Sequence, residues 1–536
     1  MLATCLGLFV LVCAADAQVL VGLRIEGPAA VLENSGAQYA AIAEFNDGNE
    51  YEVTLFANWS VVPEDYASIN EFAYLSTEDV SDNQFVTVHA AFTWDDVAKD
   101  ASLDVTIVDV TEDEGGDPWP EYQRTASRTG RTSTVGPKTP RIHWTVLVDS
   151  GIDQALQCSP SMDVDGRLYF GVRDKVVCVD TITRAVVWEY MTGDNVWFTP
   201  CIWQDRIFFG STNDTFHCVN KYTGNVIWSV PAPVYPNRGQ VLDRDLPDPI
   251  VYFPSQSDLL YARRVSDGSE LWTVSAGDTP ITPPALDGLG RILLGNDAEY
   301  VARAHAITDG DTLWVGPSGG NWFGLTPVNG LTAYAASLNG PLYAIDVTTG
   351  ETIWTFDGVG SNSSAIAIGH DGTIYIAENG GMTRLVAVTP EGEELWTYEE
   401  TGQVIKPPIV DGDGTIYVCS FGSPDNGHVH AVNPDGTALW VKEMPHYVQA
   451  SPMLAPDGTL YVVCRDKNLY AFKDPAKGDV SLNDVIDGRD IRFFVRVLFG
   501  VDDDEIRYFA ADMNSDGVVD ADDVPLFVDT LLTVEN

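Results

Sequence analysis

Oxygen-bearing side chains near the C-terminus recur at a spacing that suits a metal ion. They occupy positions 1, 3, 5, 9 and 12 of a twelve-residue loop, with Gly517 at position 6. With the carbonyl at position 7, the donors are Asp512, Asn514, Asp516, Val518, Asp520 and Asp523. Calcium takes about six to eight oxygen ligands, and glycine at position 6 permits the sharp turn around it. This segment is therefore predicted to bind Ca2+.

The same spacing occurs 33 residues earlier in a degraded form. Its donors would be Asp479, Ser481, Asn483, the carbonyl of Val485, Asp487 and Asp490. Asp484 stands at position 6, where glycine is expected, although aspartate tolerates a left-handed backbone better than most residues. We expect this first loop to bind calcium more weakly than the second.

A helical pattern follows each loop, with apolar residues at Ile491, Phe494, Val495 and Leu498 and at Val524, Phe527, Val528 and Leu531. Such spacing predicts two helices that pack together. The duplicated unit resembles a type I dockerin domain, a small α-helical, EF-hand-like module, over residues 477–532. The resemblance implies two calcium ions and a cohesin-like protein partner. We assign residues 474–536 to this domain.

Before this module, a ladder of tryptophans marks a repeat: Trp144, Trp188, Trp228, Trp272, Trp314, Trp354, Trp396 and Trp440. The gaps are 40 to 44 residues, and short β-rich runs with Asp-Gly turns fill them. This period predicts the blades of a β-propeller. Residues 141–148 have a Trp strand without preceding strands, and residues 450–473 have strands without a Trp. We therefore predict one closed ring of eight blades over residues 141–473, with the last blade split between the two ends.

The pattern Ala344-x-Asp346-x-x-Thr349-Gly350-x-x-x-Trp354 resembles the tryptophan-docking motif of PQQ-like propellers, the fold of quinoprotein alcohol dehydrogenases. It recurs with changes, and Arg184 replaces the glycine in the first complete repeat. The resemblance implies blades locked by Trp stacking. In that family the quinone-using enzymes carry adjacent cysteines at the cofactor, and this sequence has no adjacent pair. We expect no bound PQQ and assign no catalytic and no cofactor-binding residue.

Other candidates for chemistry in this region have structural interpretations. His428 and His430 share one face of a strand but lack the further ligands that zinc needs, so we expect a solvated or core pair. The cysteines beyond the first 17 residues are Cys158, Cys178, Cys201, Cys218, Cys419 and Cys464. They could pair in an oxidising compartment, although their positions favour small buried core residues.

The N-terminal part of the chain has a different organisation. Residues 1–17 contain an apolar run and a small-residue cleavage site, as in a signal peptide. Residues 18–110 alternate polar and apolar residues and resemble a bacterial immunoglobulin-like β-sandwich of the group-2 kind. Residues 111–140 are predicted to be an acidic linker followed by the propeller lead-in.

The charge balance limits the partners of this mainly β protein. It has 30 Lys plus Arg against 78 Asp plus Glu, a net charge of −48, which disfavours nucleic acid and anionic lipid. We predict no membrane span beyond the signal peptide. We predict a protein that is secreted or at the cell surface, with the periplasm as an alternative.

Three functions fit the sequence. The first is a modular binding or scaffold protein, whose propeller funnel binds an unknown ligand or protein and whose dockerin docks to a cohesin-like partner. The second is an extracellular quinoprotein or polysaccharide-acting enzyme delivered by the dockerin. The third is an envelope assembly scaffold, like the propeller lipoproteins of outer-membrane biogenesis. This last function is disfavoured for two reasons. Bulky Val12 precedes Cys13, where a lipoprotein signal needs a small residue, and the dockerin-like module implies docking to a cohesin-like partner.

Overall fold

A computed structural model describes the chain in two compact units, 1–111 and 112–536. The described residues are 19–27, 30–32, 36–63, 66–70, 72–77, 84–95, 97–108, 119–125, 127–149, 158–232, 239–244, 248–255, 258–277, 282–296, 301–318, 322–328, 331–337, 341–357, 366–380, 382–400, 407–421 and 426–534. The predicted signal peptide and the acidic part of the linker lie outside these residues.

The first unit consists of three β-sheets and one 3₁₀ helix, Thr54–Phe56. In spatial order, the first sheet contains Leu20–Glu26, Ala40–Phe45 and Glu50–Glu52; the second contains Ala30–Leu32, Val97–Val108, Gln84–Trp94 and Asn58–Val62; and the third contains Gly36–Gln38, Tyr74–Thr77 and Ala67–Ile69. Buried residues alternate along Ala40–Phe45, as the sequence pattern requires of a strand with one face in a core.

The second unit contains eight four-stranded antiparallel sheets, which we number in chain order. Their strands are Ser161–Met162, Arg167–Val172, Lys175–Asp180 and Ala185–Met191 in sheet 1; Cys201–Trp203, Arg206–Ser211, Thr215–Asn220 and Val226–Pro231 in sheet 2; Val241–Asp243, Ile250–Pro254, Leu259–Arg264 and Glu270–Ser275 in sheet 3; Ala285–Leu286, Arg291–Gly295, Val301–Ala306 and Thr312–Ser318 in sheet 4; Trp322–Val328, Thr332–Ser337, Leu342–Asp346 and Thr352–Phe356 in sheet 5; Ala367–Ile368, Ile374–Gly380, Met382–Val388 and Glu394–Glu400 in sheet 6; Ile409–Val410, Ile416–Phe421, Gly427–Val432 and Ala438–Met444 in sheet 7; and Met453–Leu454, Leu460–Cys464, Asn468–Phe472 and Ile142–Leu147 in sheet 8.

The fourth strand of sheet 8 comes from the beginning of the unit, as the unpaired Trp144 strand predicts. Ile142–Leu147 pairs antiparallel with Asn468–Phe472, so the two ends of the repeat region meet in one sheet. A single hydrophobic cluster joins sheets 7, 8 and 1 around this closing strand. The backbone hydrogen bonds of the closing strand therefore hold the ends of the repeat region together.

Tryptophans link each sheet to the next. In seven of them the indole Nε1 donates to a backbone carbonyl at 2.7–3.2 Å, in a turn of the following sheet for six and in the lead-in before the closing strand for Trp440. The acceptors are Lys221, Val265, Ile307, Val347, Pro390, Pro434 and Pro137. Six of these indoles also lie against a glycine of the accepting turn, where a Cβ would come within 2.6–2.9 Å of the ring. These contacts confirm the predicted structural role of the Trp and Gly residues.

After sheet 8 the chain forms three helices: α1 (Asp490–Leu498), α2 (Glu505–Ala511) and α3 (Asp523–Val534). Phe494 and Phe527 stack at a centroid distance of 4.0 Å between α1 and α3, as their spacing predicts. Ile491 and Val495 were also expected in this contact, but they lie on the outer face of α1 and are exposed. Val497 is buried in their place.

All six cysteines in the described residues are buried free thiols. Cys178 and Cys218 lie opposite Trp188 and Trp228 across neighbouring strands, at the position that Ala344 has opposite Trp354. The interpretation as small core residues is therefore confirmed for these two.

The glycine beneath each indole gives a stability prediction. Gly350 has φ +76°, and an added Cβ would lie 2.6 Å from the Trp314 ring. We expect Gly350→Ala to destabilise the second unit by about 1–3 kcal/mol from overpacking, in addition to about 1–2 kcal/mol of backbone strain. The measurement is the urea-unfolding midpoint followed by Trp fluorescence.

Gly290→Ala is the matched control, because Gly290 also has a positive φ, +92°, but an added Cβ meets no atom within 4 Å. It should show the strain alone. Equal midpoints for the two variants would contradict the docking role of Gly350.

Candidate functional site

The lead-in segment 119–137 lies at the inner strands of the sheets. Its hydrogen bonds reach the first strand of seven sheets, or the residue directly before that strand, at Met162, Ile202, Gln240, Pro284, Thr326, Ile368 and Val410. Trp119 shares a hydrophobic cluster with Met453 and Leu454, which form the first strand of sheet 8. The segment therefore bonds to the first strands of seven sheets, or next to them, and shares a hydrophobic cluster with the first strand of the eighth. We call this segment the hub segment.

Arg128 is the central side chain of the hub segment and is buried. Its Nε donates to Pro284 O at 2.7 Å, its Nη2 to Gln240 O at 3.0 Å and its Nη1 to Tyr122 O at 3.3 Å. Burial lowers the pKa of Arg128, and the nearby Glu121 carboxylate acts in the opposite direction. Buried charges need such partners, because leaving water is costly. Arg128 therefore joins sheets 3 and 4 to the hub.

Glu121 is also fully buried and forms an ion pair with Arg244 of sheet 3. The Cys201 thiol lies 3.7 Å from the Glu121 carboxylate, and burial raises the pKa of this thiol. A thiol held protonated is a poor nucleophile. The polar groups of the hub thus hold the segment in place, and the hub segment occupies the inner edge of the sheets where the sequence analysis expected a ligand. A ligand at the propeller funnel remains a prediction.

Two Ser–His–Tyr clusters connect neighbouring sheets. In sheet 2, His217 Nε2 lies 3.0 Å from Ser211 Oγ and its Nδ1 lies 3.2 Å from the hydroxyl of Tyr190 in sheet 1. In sheet 7, His430 makes the same contacts with Ser420, at 3.3 Å, and with Tyr398 of sheet 6, at 3.2 Å. His430, expected from the sequence to belong to a core or solvated pair with His428, is thus a buried inter-sheet contact.

These clusters are inter-sheet contacts and not a nucleophile with its base. Ser–His distances near 3 Å suit nucleophilic catalysis, but such a histidine is usually oriented by a carboxylate and its serine must reach a substrate. Here Ser211 and His217 are buried, and a phenol faces the second ring nitrogen. Burial lowers the pKa of His217 to about 4, which keeps the imidazole neutral.

A sequence signal for the clusters exists. Trp188 and Trp396 alone among the ladder tryptophans are followed two residues later by tyrosine, and the next sheet carries the histidine in both cases. The Ser–His spacing differs, since a longer connection separates Ser420 from His430 than Ser211 from His217. The strand register is nevertheless the same: each histidine pairs with the residue two positions before the serine. The unequal loops conceal the repeat in the sequence.

The two candidate calcium loops have matching backbone geometry. Positions 4 and 6 have positive φ in both, at Leu482 (+62°) and Asp484 (+63°) and at Ser515 (+61°) and Gly517 (+85°). At position 12, Asp490 and Asp523 are fully buried at the start of α1 and α3. The duplication read from the sequence is therefore also a duplication of shape.

The first and last carboxylates of each loop accept backbone N–H groups of that loop. Asp490 accepts from Ser481 and Asp487, and Asp479 accepts from Asn483 and Asp484, at 2.7–3.0 Å. In the second loop Asp523 accepts from Asn514 and Asp520, and Asp512 accepts from Asp516 and Gly517, at 2.9–3.2 Å. Asn514, Asp516 and Val518 lie on the exposed side of the second loop, as Asn483 and Val485 do in the first.

The donor set is suitable for calcium, which prefers such oxygen ligands. Ser481 Oγ, the position-3 donor of the first loop, is a buried oxygen atom with no hydrogen-bond partner, so it is available to a cation. Within the described part of the chain, no three His, Cys, Asp or Glu side chains already converge as a metal cluster. Calcium binding by either loop therefore remains a prediction.

Comparison with known families identifies the repeat region. A family model described as outer membrane protein assembly factor BamB matches residues 128–279 and 338–492, which is more than half of the chain. The chain belongs to this family. The PQQ-like repeats inferred from the tryptophan ladder are thereby confirmed.

Two curated relatives are similar to parts of the chain. BamB of Shewanella oneidensis is 26% identical over 170 residues, covering 28% of this chain and 41% of the relative. BamB of Yersinia pestis is 27% identical over 192 residues, covering 32% and 46%. The chain thus matches less than half the length of these relatives. A role in outer-membrane assembly is therefore stated of those relatives and not of this chain.

Among solved structures, the quinohemoprotein alcohol dehydrogenase ADHIIG from Pseudomonas putida HK5 is similar, with a TM-score of 0.53 and 15% identity, covering 66% of this chain and 76% of that one. At this identity the likeness shows a propeller-like fold alone. The mainly β architecture is therefore confirmed, and a dehydrogenase activity is not implied.

None of the helices in the described residues is both long and apolar enough to cross a membrane. The predicted signal peptide lies outside these residues.

The neutral His217 predicts a pH dependence of stability. Its pKa is about 4 in the folded protein and about 6.5 when unfolded, so below pH 6.5 the unfolded state binds more protons. Stability from this site is present above pH 6.5 and falls by about 3 kcal/mol as the pH drops through 4. Urea-unfolding midpoints at pH 7 and pH 4 should therefore differ less in His217→Gln than in the parent protein. Parallel pH profiles would contradict a buried neutral His217.

Proposed function

We propose that this protein is a protein-interaction platform of the cell envelope, as its family membership suggests. The observation that supports this function most directly is the match of the BamB family to residues 128–279 and 338–492. The scaffold resembling the propeller proteins of outer-membrane biogenesis, disfavoured on the sequence alone, is therefore the better interpretation of the repeat region.

The position of the hub segment limits which surfaces of the second unit a protein partner could bind. Because residues 119–137 occupy the inner strands of the sheets, the surfaces left to a protein partner are the turns at the two faces and the outer strands. Ile182, in a turn between two strands of sheet 1, is 81% exposed. The net charge of −48 favours partner segments rich in Lys and Arg.

We also propose that the eight sheets form one closed eight-bladed propeller and that the first unit is an immunoglobulin-like spacer. For the propeller, the support is the series of seven Trp hydrogen bonds from sheet 1 to the hub side of sheet 8, together with the split eighth sheet. For the spacer, it is the alternating burial along Ala40–Phe45 and the hydrophobic cluster shared by the first and second sheets of the unit. Export to the periplasm or the cell surface follows from the signal-peptide pattern of residues 1–17.

The C-terminal module is proposed to be a dockerin that binds two calcium ions and a cohesin-like partner. The support is the matched φ pattern of the loops and the buried position-12 carboxylates, Asp490 and Asp523. Bound calcium would draw the loop oxygens together and fix the angle between α1 and α3. Exposed apolar residues on α1 and after it, Ile491, Val495, Phe499 and Val501, would then offer a contact surface.

Calorimetry with the full chain tests the calcium proposal. We expect two binding events, the tighter one in the second loop, because the first has serine at position 3 and aspartate at position 6. Asp516→Ala should weaken the tighter event by about tenfold or more, since it removes a charged ligand. Asp503→Ala, which removes the same charge from the exposed α1–α2 connection, should leave both events unchanged. A flat isotherm in the parent protein would refute the proposal.

Site-specific photo-crosslinking in cells tests the platform. A photoreactive residue at Ile182 should cross-link to an outer-membrane assembly protein, and one at Phe499 should cross-link to a different partner only when calcium is present. A residue at Phe85 of the first unit, which is 72% exposed, is the control for random encounters. Equal yields at Phe85 and Ile182 would contradict a platform on the sheets.

A further inference from the structure

Two departures from the repeats of this chain have the same backbone feature. Arg184 stands where the later docking turns have glycine, and Asp484 stands where the second loop has Gly517. Both non-glycine residues adopt positive φ, +55° at Arg184 and +63° at Asp484. A side chain at such a position strains the backbone.

The two side chains belong to one contact. The Asp484 carboxylate lies 2.7 Å from Arg141 Nη2 and 3.4 Å from His143 Nε2. That His143 nitrogen also lies 2.9 Å from Arg184 Nη2. The Arg184 guanidinium is in turn 5.9 Å from the centroid of the Trp144 ring, where six of the other ladder indoles have glycine. We call Arg141, His143 and Arg184 the seam socket, because they lie where the closing strand of sheet 8 meets sheet 1.

We infer that the first loop of the C-terminal module is a docking element, and that the seam socket binds the Asp484 carboxylate to seat this module on the closing strand. The occupant is thus a segment of this chain, 479–490. The inference depends on the contacts within the second unit and on neither calcium nor a cohesin-like partner.

Charge and burial support a specific contact. The chain has 30 Lys plus Arg against 78 Asp plus Glu, and two of these arginines lie at this contact, Arg141 against the Asp484 carboxylate and Arg184 against His143. The Arg141 side chain is only 9% exposed, and a largely buried guanidinium requires a partner. Asp484 at 44% exposure closes the contact from the solvent side.

A second contact ties the same region together. The Asp474 carboxylate, between sheet 8 and the module, accepts from the backbone N–H groups of Lys138 and Thr139 at 2.7 and 2.9 Å. Thr139 Oγ1 donates to it as well, at 2.7 Å. The module is therefore held at its entry and again at its first loop. The residues that remain most exposed nearby, Phe499 and Val501, lie beyond α1 and stay open to a partner.

Two substitutions that restore glycine test this inference: Arg184→Gly and Asp484→Gly. Glycine relieves backbone strain at both positions, so a loss of protection would report the lost contact. Hydrogen exchange of the full chain should become about tenfold faster or more in segments 142–147 and 479–490 in either variant, as expected for a contact of ordinary strength. The double variant should show less than the product of the two changes. Asp503→Asn, an acidic residue of the same module outside the contact, is the control.

The exchange should be measured in EDTA and again in calcium. Faster exchange in EDTA supports the docking contact itself. An effect seen only in calcium would overturn it, because the change would then act through the metal. Unchanged exchange in segment 142–147, or fully multiplicative effects in the double variant, would also overturn it. A flat calcium isotherm would refute the calcium proposal and leave this inference standing.

Discussion

The second unit depends on the contact between an indole and the turn of the next sheet. Each such Trp donates one hydrogen bond, and six of the seven also place the ring on a glycine, at Gly350 for Trp314. A buried aromatic ring contributes more than a single hydrogen bond, whose net value is about 1 kcal/mol. The Trp and its acceptor lie in different sheets, so each contact fixes the position of two sheets at once. A four-stranded sheet alone would expose both faces to water.

The same contact explains why the lead-in is part of the fold. The last indole in the series, Trp440, has no later repeat to accept its N–H group, and it bonds to Pro137 O instead. The segment that supplies this carbonyl continues backwards into the hub and forwards into the closing strand. One stretch of chain therefore accepts the last indole, bonds to the inner strands of the sheets and supplies the missing strand. The fold shared with quinohemoprotein dehydrogenases is here built around a segment of its own chain, which is why architecture alone says little about activity.

Much of this could be predicted from the sequence, because the responsible signals are local and repeated. The Trp period and the Asp-Gly turns indicate the sheets, and the unpaired Trp144 strand indicates how the last one is completed. The hub could not be predicted, because Arg128 and Glu121 are charged residues in an irregular segment and such residues usually face water. Helix α2 was also missed, although Asp504 accepts the N–H groups of Ile506 and Arg507 as a cap. It is only seven residues long, too short for apolar periodicity to be recognised.

The outer face of α1 shows the limit of pattern reading within a helix. Ile491, Phe494, Val495 and Leu498 all fit one helical stripe, but a short helix at the edge of a small core can bury only part of it. Phe494, Val497 and Leu498 pack in the core of the module, whereas Ile491 and Val495 face water.

Internal repeats also provide a comparison within one chain. Where several repeats have the same structure, a residue that differs from the common one must find a suitable contact in its own repeat or in a neighbouring one. Arg184 and Asp484 both have a positive φ, which favours glycine, and both side chains belong to the contact at the seam socket. Tyr190 and Tyr398 stand two residues after a ladder Trp, where Trp144, Trp228 and Trp272 are followed by valine, and each contacts a histidine of the next sheet. In both cases the unusual residue contacts a side chain from another part of the chain. A residue that differs from its counterparts in other repeats is therefore best interpreted together with the unusual residues that it contacts.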